Sequence, residues 1–434
     1  MTPAAADIAD AALEVKIWLE ENWDPDLTVG EWWERLGTSG WSAPTWPAES
    51  YGRGLSRSEA IRVQQAITEF GALGAPGGLG LLLAGPTIAA HGDDAQKARY
   101  LPDIVTGRKG WCQLFSEPGA GSDLAGLQTK AVLDGDEYVV NGQKVWTSAG
   151  RQADLGMLLA RTDVDVPKHQ GISYFAFPMH QDGVDVRPLR EMTGQSLFNE
   201  VFITDARVPA DALIGGLNNG WAVANATLAF ERAGLGAGGG SAAGGAAIPG
   251  TVVGDLAKRA GDFVRSTSVR ASGGLFSGIS TVLYDLARRN GTIDDPTIRQ
   301  DLMRLHTLNE IARYTNLRQK ALSASGRDIP GLGNLAKLSM SEILRLSSNV
   351  GLRILGPLGT LHGYSTSEQQ ALAAATATPE AAMVTSMALF APGPSIYGGT
   401  DQIQRNIVGE RVLGLPKEPN NDRTTSFRDL PKNG

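Results

Sequence analysis

The sequence has a single cysteine, Cys112, among its 434 residues. One thiol excludes a disulfide bond within the chain and is typical of a reducing compartment. Because Cys112 lies in an apolar run, we predict that it is buried and packs, and that it is not a nucleophile. Histidine is also scarce and shows no metal-ligand spacing, so we predict no metal site. The five histidines are His91, His169, His180, His306 and His362.

Basic residues are in the minority, since 39 Lys and Arg stand against 46 Asp and Glu for a net charge of -7. This balance argues against a nucleic-acid partner, because binding to phosphate backbones needs a basic face. Long apolar runs are missing as well. The best candidate, 78–90, is too short for a membrane span and contains Pro86. Residues 1–10 have neither the basic nor the apolar region of a signal peptide, so we expect a cytoplasmic protein.

The spacing of apolar residues divides the chain into three predicted domains. Residues 1–109 have helical periodicity, with Ser56 as an N-cap and Glu59 closing a capping box. Residues 110–215 alternate apolar and polar side chains as strands do, and residues 216–434 return to the helical period. The fold class we predict is α+β and multi-domain: an N-terminal helical bundle, a small middle antiparallel β-barrel or sandwich, and a C-terminal helical bundle.

Within the middle domain, turn residues separate short runs rich in strand formers. Strands are predicted at 136–140, 155–160, 172–177, 184–189 and 199–209. Two hairpin turns are predicted, at Asp134-Gly135-Asp136 and at Asn141-Gly142.

Two segments have a biased composition. Residues 234–239 satisfy the pattern G-x-G-x-x-G, but they follow a helix and not a strand, so we reject a dinucleotide-binding role for them. Residues 368–387 are rich in Ala and Thr, and we predict an insertion or lid there rather than core.

The most informative stretch runs from 111 to 150. It contains SEPGAGSD at 116–123 and NGQKVWTS at 141–148. Proline interrupts a regular ladder, and glycines let the backbone approach a bound group closely. The ring of Trp146 beside two hydroxyls offers a planar ligand a stacking surface and several hydrogen bonds.

In residue and spacing, both blocks resemble the flavin-binding signature of acyl-CoA dehydrogenases. A third block, SIYGGTDQIQR at 395–405, resembles the terminal active-site motif of the same family. The three blocks stand in the expected order, so the resemblance covers almost the whole chain. It implies FAD as the cofactor and an acyl-CoA as the substrate. The implied FAD contacts are Gln113, Leu114, Ser116, Gly121, Ser122, Trp146, Ser148, Thr400 and Gln402, and the implied substrate contacts are Ser122, Arg232 and Tyr397.

In much of that family the residue after the tyrosine of the terminal motif is the catalytic glutamate, but here Gly398 follows Tyr397. Removing a proton beside a thioester carbonyl needs a positioned base, which glycine lacks. Some members carry the glutamate on the first helix of the C-terminal domain, where this chain has Glu231-Arg232. The resemblance implies Glu231 as general base, Arg232 as electrostatic support and the Gly398 N–H as a donor to the thioester oxygen. The alternative is that Glu231 is a solvated helix residue paired with an arginine.

Two positions depart from the family pattern. The flavin anchor R-x-x-F-G, which crosses to a neighbouring subunit, has only Arg288-Arg289-Asn290-Gly291 as its nearest match. Arg353 stands where a glutamine usually precedes I-L-G-G, and Pro357 removes a backbone donor. We therefore expect the adenosine end of FAD to be held differently, or by a partner chain.

The leading hypothesis is an FAD-dependent acyl-CoA dehydrogenase that forms a trans-2-enoyl-CoA and passes its electrons to an electron-transfer flavoprotein. Gly398 and the small residues near Glu231 leave room for a branched acyl group or a steroid side chain. The alternatives are a non-catalytic FAD-binding partner subunit of a heteromeric dehydrogenase, and an acyl-CoA oxidase. We expect a homo- or hetero-oligomer, a dimer or tetramer, with neither nucleic acid nor membrane insertion.

Overall fold

The computed structural model describes residues 7–236, 246–264, 278–325, 327, 331–420 and 422–431, with the backbone alone at 7–10, 232–236 and 323–324. No helix in these ranges is long and apolar enough to cross a membrane. Helices come first along the described chain. They are α1 (Asp7–Asn22), α2 (Val29–Thr38), α3 (Arg57–Phe70), α4 (Gly85–His91) and α5 (Asp94–Val105).

The N-terminal helices are fixed by local caps and by buried indole rings. The predicted capping box is confirmed, since Glu59 accepts a hydrogen bond from the Ser56 N–H at 2.7 Å and donates its own N–H to Ser56 Oγ at 3.3 Å. Trp32 and Trp33 of α2 are fully buried. Their indole N–H groups donate to backbone carbonyls just beyond α3, at 2.6 and 2.9 Å. Each ring therefore buries a large apolar area without leaving its polar atom unpaired.

The middle of the chain forms a sheet in the strand order β6-β7-β3-β2-β4-β5-β8, with β1 beside β4. The β-domain is confirmed, and each predicted strand is present. The sheet is mixed, however, because β1 runs parallel to β4. The strands are β1 (Trp111–Leu114), β2 (Lys130–Asp134), β3 (Glu137–Ser148), β4 (Leu155–Arg161), β5 (Ile172–Pro178), β6 (Val184–Leu189), β7 (Phe198–Pro209) and β8 (Leu213–Ile214).

The hairpin turn predicted at Asn141-Gly142 is wrong, whereas the turn at Asp134-Gly135-Asp136 is confirmed between β2 and β3. Asn141 and Gly142 lie inside β3, where the register against β7 shifts. An added Cβ at Gly142 would lie 2.3 Å from Thr129 Oγ1. The glycine is therefore needed for a close approach of two backbone segments at a bulge, and not for a turn.

Helices return after β8, and the last of them begins at Asp401, next to the predicted start near Thr400. One begins at the predicted Asp295-Pro296 cap, where Asp295 accepts from the Thr297 N–H at 2.7 Å. These helices are α6 (Gly220–Gly236), α7 (Ile279–Arg289), α8 (Pro296–Ala324), α9 (Leu332–Leu355), α10 (Thr366–Thr376), α11 (Ala381–Phe390) and α12 (Asp401–Ile407).

The prediction that 368–387 is an insertion or lid rather than core is wrong for its second half. In α10 no residue is buried, as expected of a peripheral segment. In α11, however, Ala381, Val384 and Met387 are fully buried in the C-terminal core. The Ala-rich composition showed no clear apolar face in the sequence. Small side chains nevertheless let a helix pack closely against its neighbours.

Helix α6, which carries Glu231, begins in direct contact with the sheet. An added Cβ at Gly220 would lie 2.5 Å from the carbonyl carbon of Ser173 and 2.8 Å from the nitrogen of Tyr174, both in β5. The missing side chain therefore sets the distance between α6 and β5, and with it the placement of everything further along the helix.

We expect Gly220→Ala to destabilise the protein by roughly 1–3 kcal/mol, because the methyl group would meet backbone atoms that cannot move aside. The matched control is Gly333→Ala in the first turn of α9, where nothing lies within 4 Å of the added Cβ. That change should stabilise by about 0.5–1 kcal/mol through helix propensity. Urea unfolding of both variants gives the two values, and equal effects would contradict the proposed contact.

Candidate active site

A buried ion pair joins the two sequence blocks of the 111–150 stretch. Lys144 in β3 donates from Nζ to Glu117 Oε1 at 2.8 Å, and the two side chains are 0% and 7% exposed. The same ammonium donates to the carbonyl of Phe115 at 3.0 Å. The loop that begins at 116 is therefore tied to the strand that ends at 148, although the paired residues are far apart in sequence.

Glu117 also organises the backbone of its own loop, since its carboxylate accepts from the N–H groups of Gln128 at 2.7 Å and Thr129 at 2.9 Å. Burial alone would raise the pKa of Glu117, but Lys144 and these hydrogen bonds outweigh it, and the pKa is lowered. Burial lowers the pKa of Lys144, and the nearby Glu117 carboxylate opposes that shift. The carboxylate is thus ionised at neutral pH.

Trp146 occupies a strained position two residues after Lys144. Its φ is +61°, and the register between β3 and β7 shifts between Lys144 and Thr147. A bulky residue in the left-handed region costs on the order of 1–3 kcal/mol and persists only where its surroundings fix it. The indole meets Phe198 edge-on, with centroids 5.9 Å apart, and 59% of Trp146 is exposed. The bulge therefore presents an open aromatic face.

In the contacting strands β1 and β3, two buried polar side-chain atoms have no hydrogen-bond partner among the residues that the structure describes. They are Gln113 Nε2 in β1 and Thr147 Oγ1 in β3. The Val145 N–H donates to the carbonyl of Ser116 at 2.9 Å, which brings the segment after β1 against β3. Unpaired buried polar atoms are costly, and of these two residues only the half-buried Gln113 also reaches the surface, where a bound group could contact it.

The other residues that the sequence predicts to contact the flavin ring lie partly at the surface and partly in the core. Ser116 and Ser148 are half-buried at the edge of the Trp146 region. Leu114 is fully buried in the sheet core, so its side chain packs from behind. The structure therefore brings Ser116, Trp146 and Ser148 onto two adjacent segments, with Leu114 beneath them.

Gly121 and Ser122 lie on an exposed loop. No heavy atom lies within 4 Å of an added Cβ at Gly121, so the backbone there is open to a ligand. The next residue, Asp123, accepts two hydrogen bonds from Lys168 Nζ, at 2.9 and 3.0 Å. Sequence reasoning missed Lys168, which anchors this otherwise exposed loop to the segment between β4 and β5.

The terminal motif forms a loop held from inside by α9. Tyr397 is 37% exposed, and burial of its ring raises its pKa. Gly398 and Gly399 follow with φ values of +63° and +78°. The Gly398 carbonyl accepts a hydrogen bond from Gln404 Nε2 at 2.8 Å. The backbone N–H of Gly398 has no acceptor among the described residues. The loop therefore presents a free backbone donor at the position where much of the family carries a side chain.

A second buried ion pair fixes the helix that follows. Asp401 accepts from Lys337 Nζ of α9 at 2.8 Å, and each side chain is 8% exposed. Thr400 caps α12, with its hydroxyl accepting from the Ile403 N–H at 3.1 Å. Thr400 is half-buried, and its hydroxyl is used in the helix cap. The side chain of Gln402 is exposed and takes no part in that cap.

Glu231 lies on the buried side of α6. Ala224 and Thr227 are fully buried, and Glu231 follows them at helical spacings of seven and four. Thr227 Oγ1 is 2.9 Å from Thr87 Oγ1, which marks this face as the one packed on α4. Glu231 itself is half-buried. Helix α9 contacts α6 and also holds the Tyr397 loop, so the two predicted catalytic positions share one support.

Arg232 falls where only the backbone is described, so its predicted role lies outside the described side chains. The arginines near the departures from the family pattern are engaged within this chain. Arg289 pairs with Glu380 at 2.7 Å, and Arg353 pairs with Asp301 of α8. Cys112 is buried as expected, and burial raises its pKa.

Family sequence models match three consecutive parts of the chain. The N-terminal domain of acyl-CoA dehydrogenase matches residues 4–108, the middle domain 112–206, and the C-terminal domain 262–413.

Individual relatives match along most of the chain. Acyl-CoA dehydrogenase IpdE1 of Mycobacterium tuberculosis is 36% identical over 388 residues, which cover 89% of this chain and 88% of that protein. Among solved structures, the ChsE4-ChsE5 complex from Mycobacterium tuberculosis is similar with a TM-score of 0.65 and 26% identity, over 96% of this chain and 100% of the matched one. The Tcur3481-Tcur3483 steroid ACAD is similar with a TM-score of 0.65 and 25% identity, over 96% and 99% of the two chains.

We expect Glu117→Gln to destabilise the flavin-free protein by about 3–5 kcal/mol, because Lys144 would remain buried without its counter-charge. Adding Lys144→Met should recover most of that loss, since the unpaired cation is removed. The control is Glu137→Gln in β3, the strand that also contains Lys144. The ion pair of Glu137 with Arg207 is exposed and should contribute less than about 1 kcal/mol.

The pH dependence has a defined sign. Because the folded pKa of Glu117 lies below its ordinary value of 4.5, its contribution to stability is present above that value and is lost as the pH falls further. Urea unfolding between pH 7 and pH 3 measures both effects. A Glu117→Gln variant as stable as the wild type, with the same pH profile, would show that the pair does not support the loop.

Proposed function

This chain belongs to the acyl-CoA dehydrogenase family, and from that membership we propose that it oxidises the Cα–Cβ bond of an acyl-CoA thioester to a trans-2-enoyl-CoA, with FAD as its cofactor. The observation that supports the FAD assignment is the strained, exposed Trp146 in β3, together with the unpaired side-chain amide of Gln113 in β1. A planar ring with polar edges would suit both features, because it would stack on the indole and offer hydrogen-bonding atoms to Gln113.

These residues fit FAD, and each would have a distinct task. Trp146 and Ser148 would cover the ring, Gln113 and Ser116 would meet its edge, and the open backbone at Gly121 and Ser122 would receive the pyrophosphate. Thr400 and Gln402 would lie toward the ribityl and adenosine portion. When bound, FAD supplies the hydride acceptor that the reaction needs.

Glu231 is the proposed general base and removes the proton from the carbon beside the thioester carbonyl. Its place on the buried face of α6, in line with Thr227, supports this role over that of a solvated surface residue. The free N–H of Gly398 would donate to the thioester oxygen, where negative charge develops as the proton leaves. Tyr397, half-exposed on the same loop, would contact the acyl group.

The acyl group that we propose is branched or bulky, with a steroid side chain as the leading candidate. Gly398 carries no side chain, and the bulky acyl group would use the space beside Tyr397. One similar structure is described as a steroid ACAD, which agrees with this choice. The proposed electron acceptor is an electron-transfer flavoprotein, in a reducing, cytoplasmic setting.

Assembly into an oligomer is also part of the proposal. The second half of α8 exposes Ile311, Tyr314 and Leu317 at 53%, 60% and 49%, an apolar surface that a partner chain would cover. The engagement of Arg289 and Arg353 within this chain favours a partner that helps to hold the adenosine end of FAD. It also favours a second candidate, a partner subunit of a mixed complex; gel filtration with flavin quantitation on the chain expressed alone separates the two.

We expect Glu231→Gln to retain FAD but to lose substrate-dependent bleaching of the flavin by at least about 10²–10⁴-fold, the usual contribution of a positioned base. The measurement is anaerobic titration with a panel of acyl-CoAs, followed at the flavin absorption band. The matched control is Glu342→Gln, which removes another half-buried helical carboxylate, one that pairs with Arg304 outside the proposed site. Unchanged bleaching in Glu231→Gln would place the base elsewhere.

We expect Trp146→Gly to leave the stability of the flavin-free protein within about 1 kcal/mol of the wild type, because relief of the positive φ offsets the greater freedom of glycine. The same change should weaken FAD binding at least about tenfold, since the stacking surface is removed. Urea unfolding and FAD titration measure the two quantities separately. A large loss of stability with unchanged FAD affinity would assign Trp146 a packing role instead.

A further inference from the structure

The last described segment of the chain lies against the loop between β4 and β5. The Phe427 N–H donates to the carbonyl of Val166 at 2.9 Å, and the Arg428 N–H donates to the carbonyl of Val164 at 3.0 Å. Backbone bonds of this kind add a short strand-like segment to the loop. The segment, residues 422–428, follows an exposed stretch after α12 and returns to the β-domain.

Lys168, in the same loop, links this segment to the proposed cofactor loop. Its Nζ contacts the carboxylates of both Asp123 and Asp422, and its side chain is 9% exposed. Asp123 directly follows Gly121 and Ser122. One largely buried cation therefore joins two acidic residues that come from opposite parts of the chain, and the charge of each acid offsets the cost of burying the ammonium.

Arg161 makes a second link. It is 2% exposed, and its guanidinium donates to the carbonyls of Ala125 at 2.7 Å and Leu127 at 3.2 Å. No carboxylate of the described residues forms an ion pair with it. The Phe427 ring instead covers the guanidinium, with 3.5 Å between the cation and the ring centroid. A buried cation held by carbonyl dipoles and an aromatic face depends on that face to exclude water.

We propose that residues 422–428 are a working part of the cofactor site and that they hold loop 121–127 in the conformation that binds the FAD pyrophosphate, acting through Lys168 and Arg161. This inference rests on the proposed function, since it assigns the loop to FAD. Asp422, Phe427 and Lys168 are positioning residues, because they act through the loop. A loop that is ordered before the ligand arrives binds it more tightly, since less conformational entropy is lost.

The first test is Asp422→Asn in the full chain. The dissociation constant for FAD, measured by quenching of flavin fluorescence on addition of flavin-free protein, should rise by about three- to tenfold, the scale of a partly exposed ion pair. At saturating FAD, kcat should stay within about twofold of the wild type, because excess FAD fills the cofactor site despite the weaker affinity. Asp422→Glu, which keeps the charge, should recover most of the affinity. The matched control is Glu418→Gln, an exposed residue of the preceding stretch, with unchanged affinity.

The second test needs no cofactor. In flavin-free protein, hydrogen exchange of peptides covering 121–127 should speed up by about fivefold in Phe427→Leu, which keeps an apolar cover and loses the aromatic face. Hydrogen exchange in α2, which belongs to the N-terminal helices, should not change. Wild-type exchange rates and FAD affinity in these variants would overturn the inference. A wild-type protein that binds no FAD would instead overturn the proposed function, while the exchange experiment would still decide whether the segment orders the loop.

Discussion

The ion pair between Glu117 and Lys144 is the constraint on which the candidate site depends. A buried pair gains little stability over apolar packing of the same volume, so its value lies in geometry. Lys144 can satisfy its charge only if the loop after β1 places Glu117 beside β3. That requirement fixes the approach of β1 to β3 just before the bulge, and the bulge holds Trp146 in its strained conformation. The exposed indole therefore lies two residues from a buried charge whose partner fixes the neighbouring loop.

The terminal loop around Tyr397 is also held by a buried ion pair. Lys337 and Asp401 form a second buried pair between α9 and the start of α12. Ser341 of α9 donates to the carbonyl of Pro394, which fixes the near end of the intervening loop. The loop between these two anchors can then contain two consecutive glycines, Gly398 and Gly399, directly after Tyr397. Both regions are therefore held by polar contacts from within, while Trp146 and Tyr397 remain exposed.

Sequence patterns predicted those parts of the structure that depend on neighbouring residues. The capping box at Ser56 and the presence of the predicted strands depend on local sequence, and each was confirmed. The pairing of Glu117 with Lys144 could not be predicted, since nothing local in either block shows that their charges meet. The turn prediction at Asn141-Gly142 failed for a related reason. Gly142 is required by its close approach to Thr129 on another segment, and the local sequence pattern does not show that contact. The proposed roles of the site residues stay predictions.

The backbone conformation at Gly398 is compatible with the proposed base on α6. Two consecutive residues, Gly398 and Gly399, adopt left-handed φ values that a residue with a Cβ takes only at a cost of about 1 kcal/mol or more. A glutamate at 398 would therefore strain the turn as well as fill the space beside Tyr397. In the proposed arrangement the carboxylate is on α6, and the loop would use its backbone N–H as the donor. The proposal thus treats Gly398 and Glu231 as one arrangement, in which a regular helix would supply the side chain and an irregular loop only its peptide group.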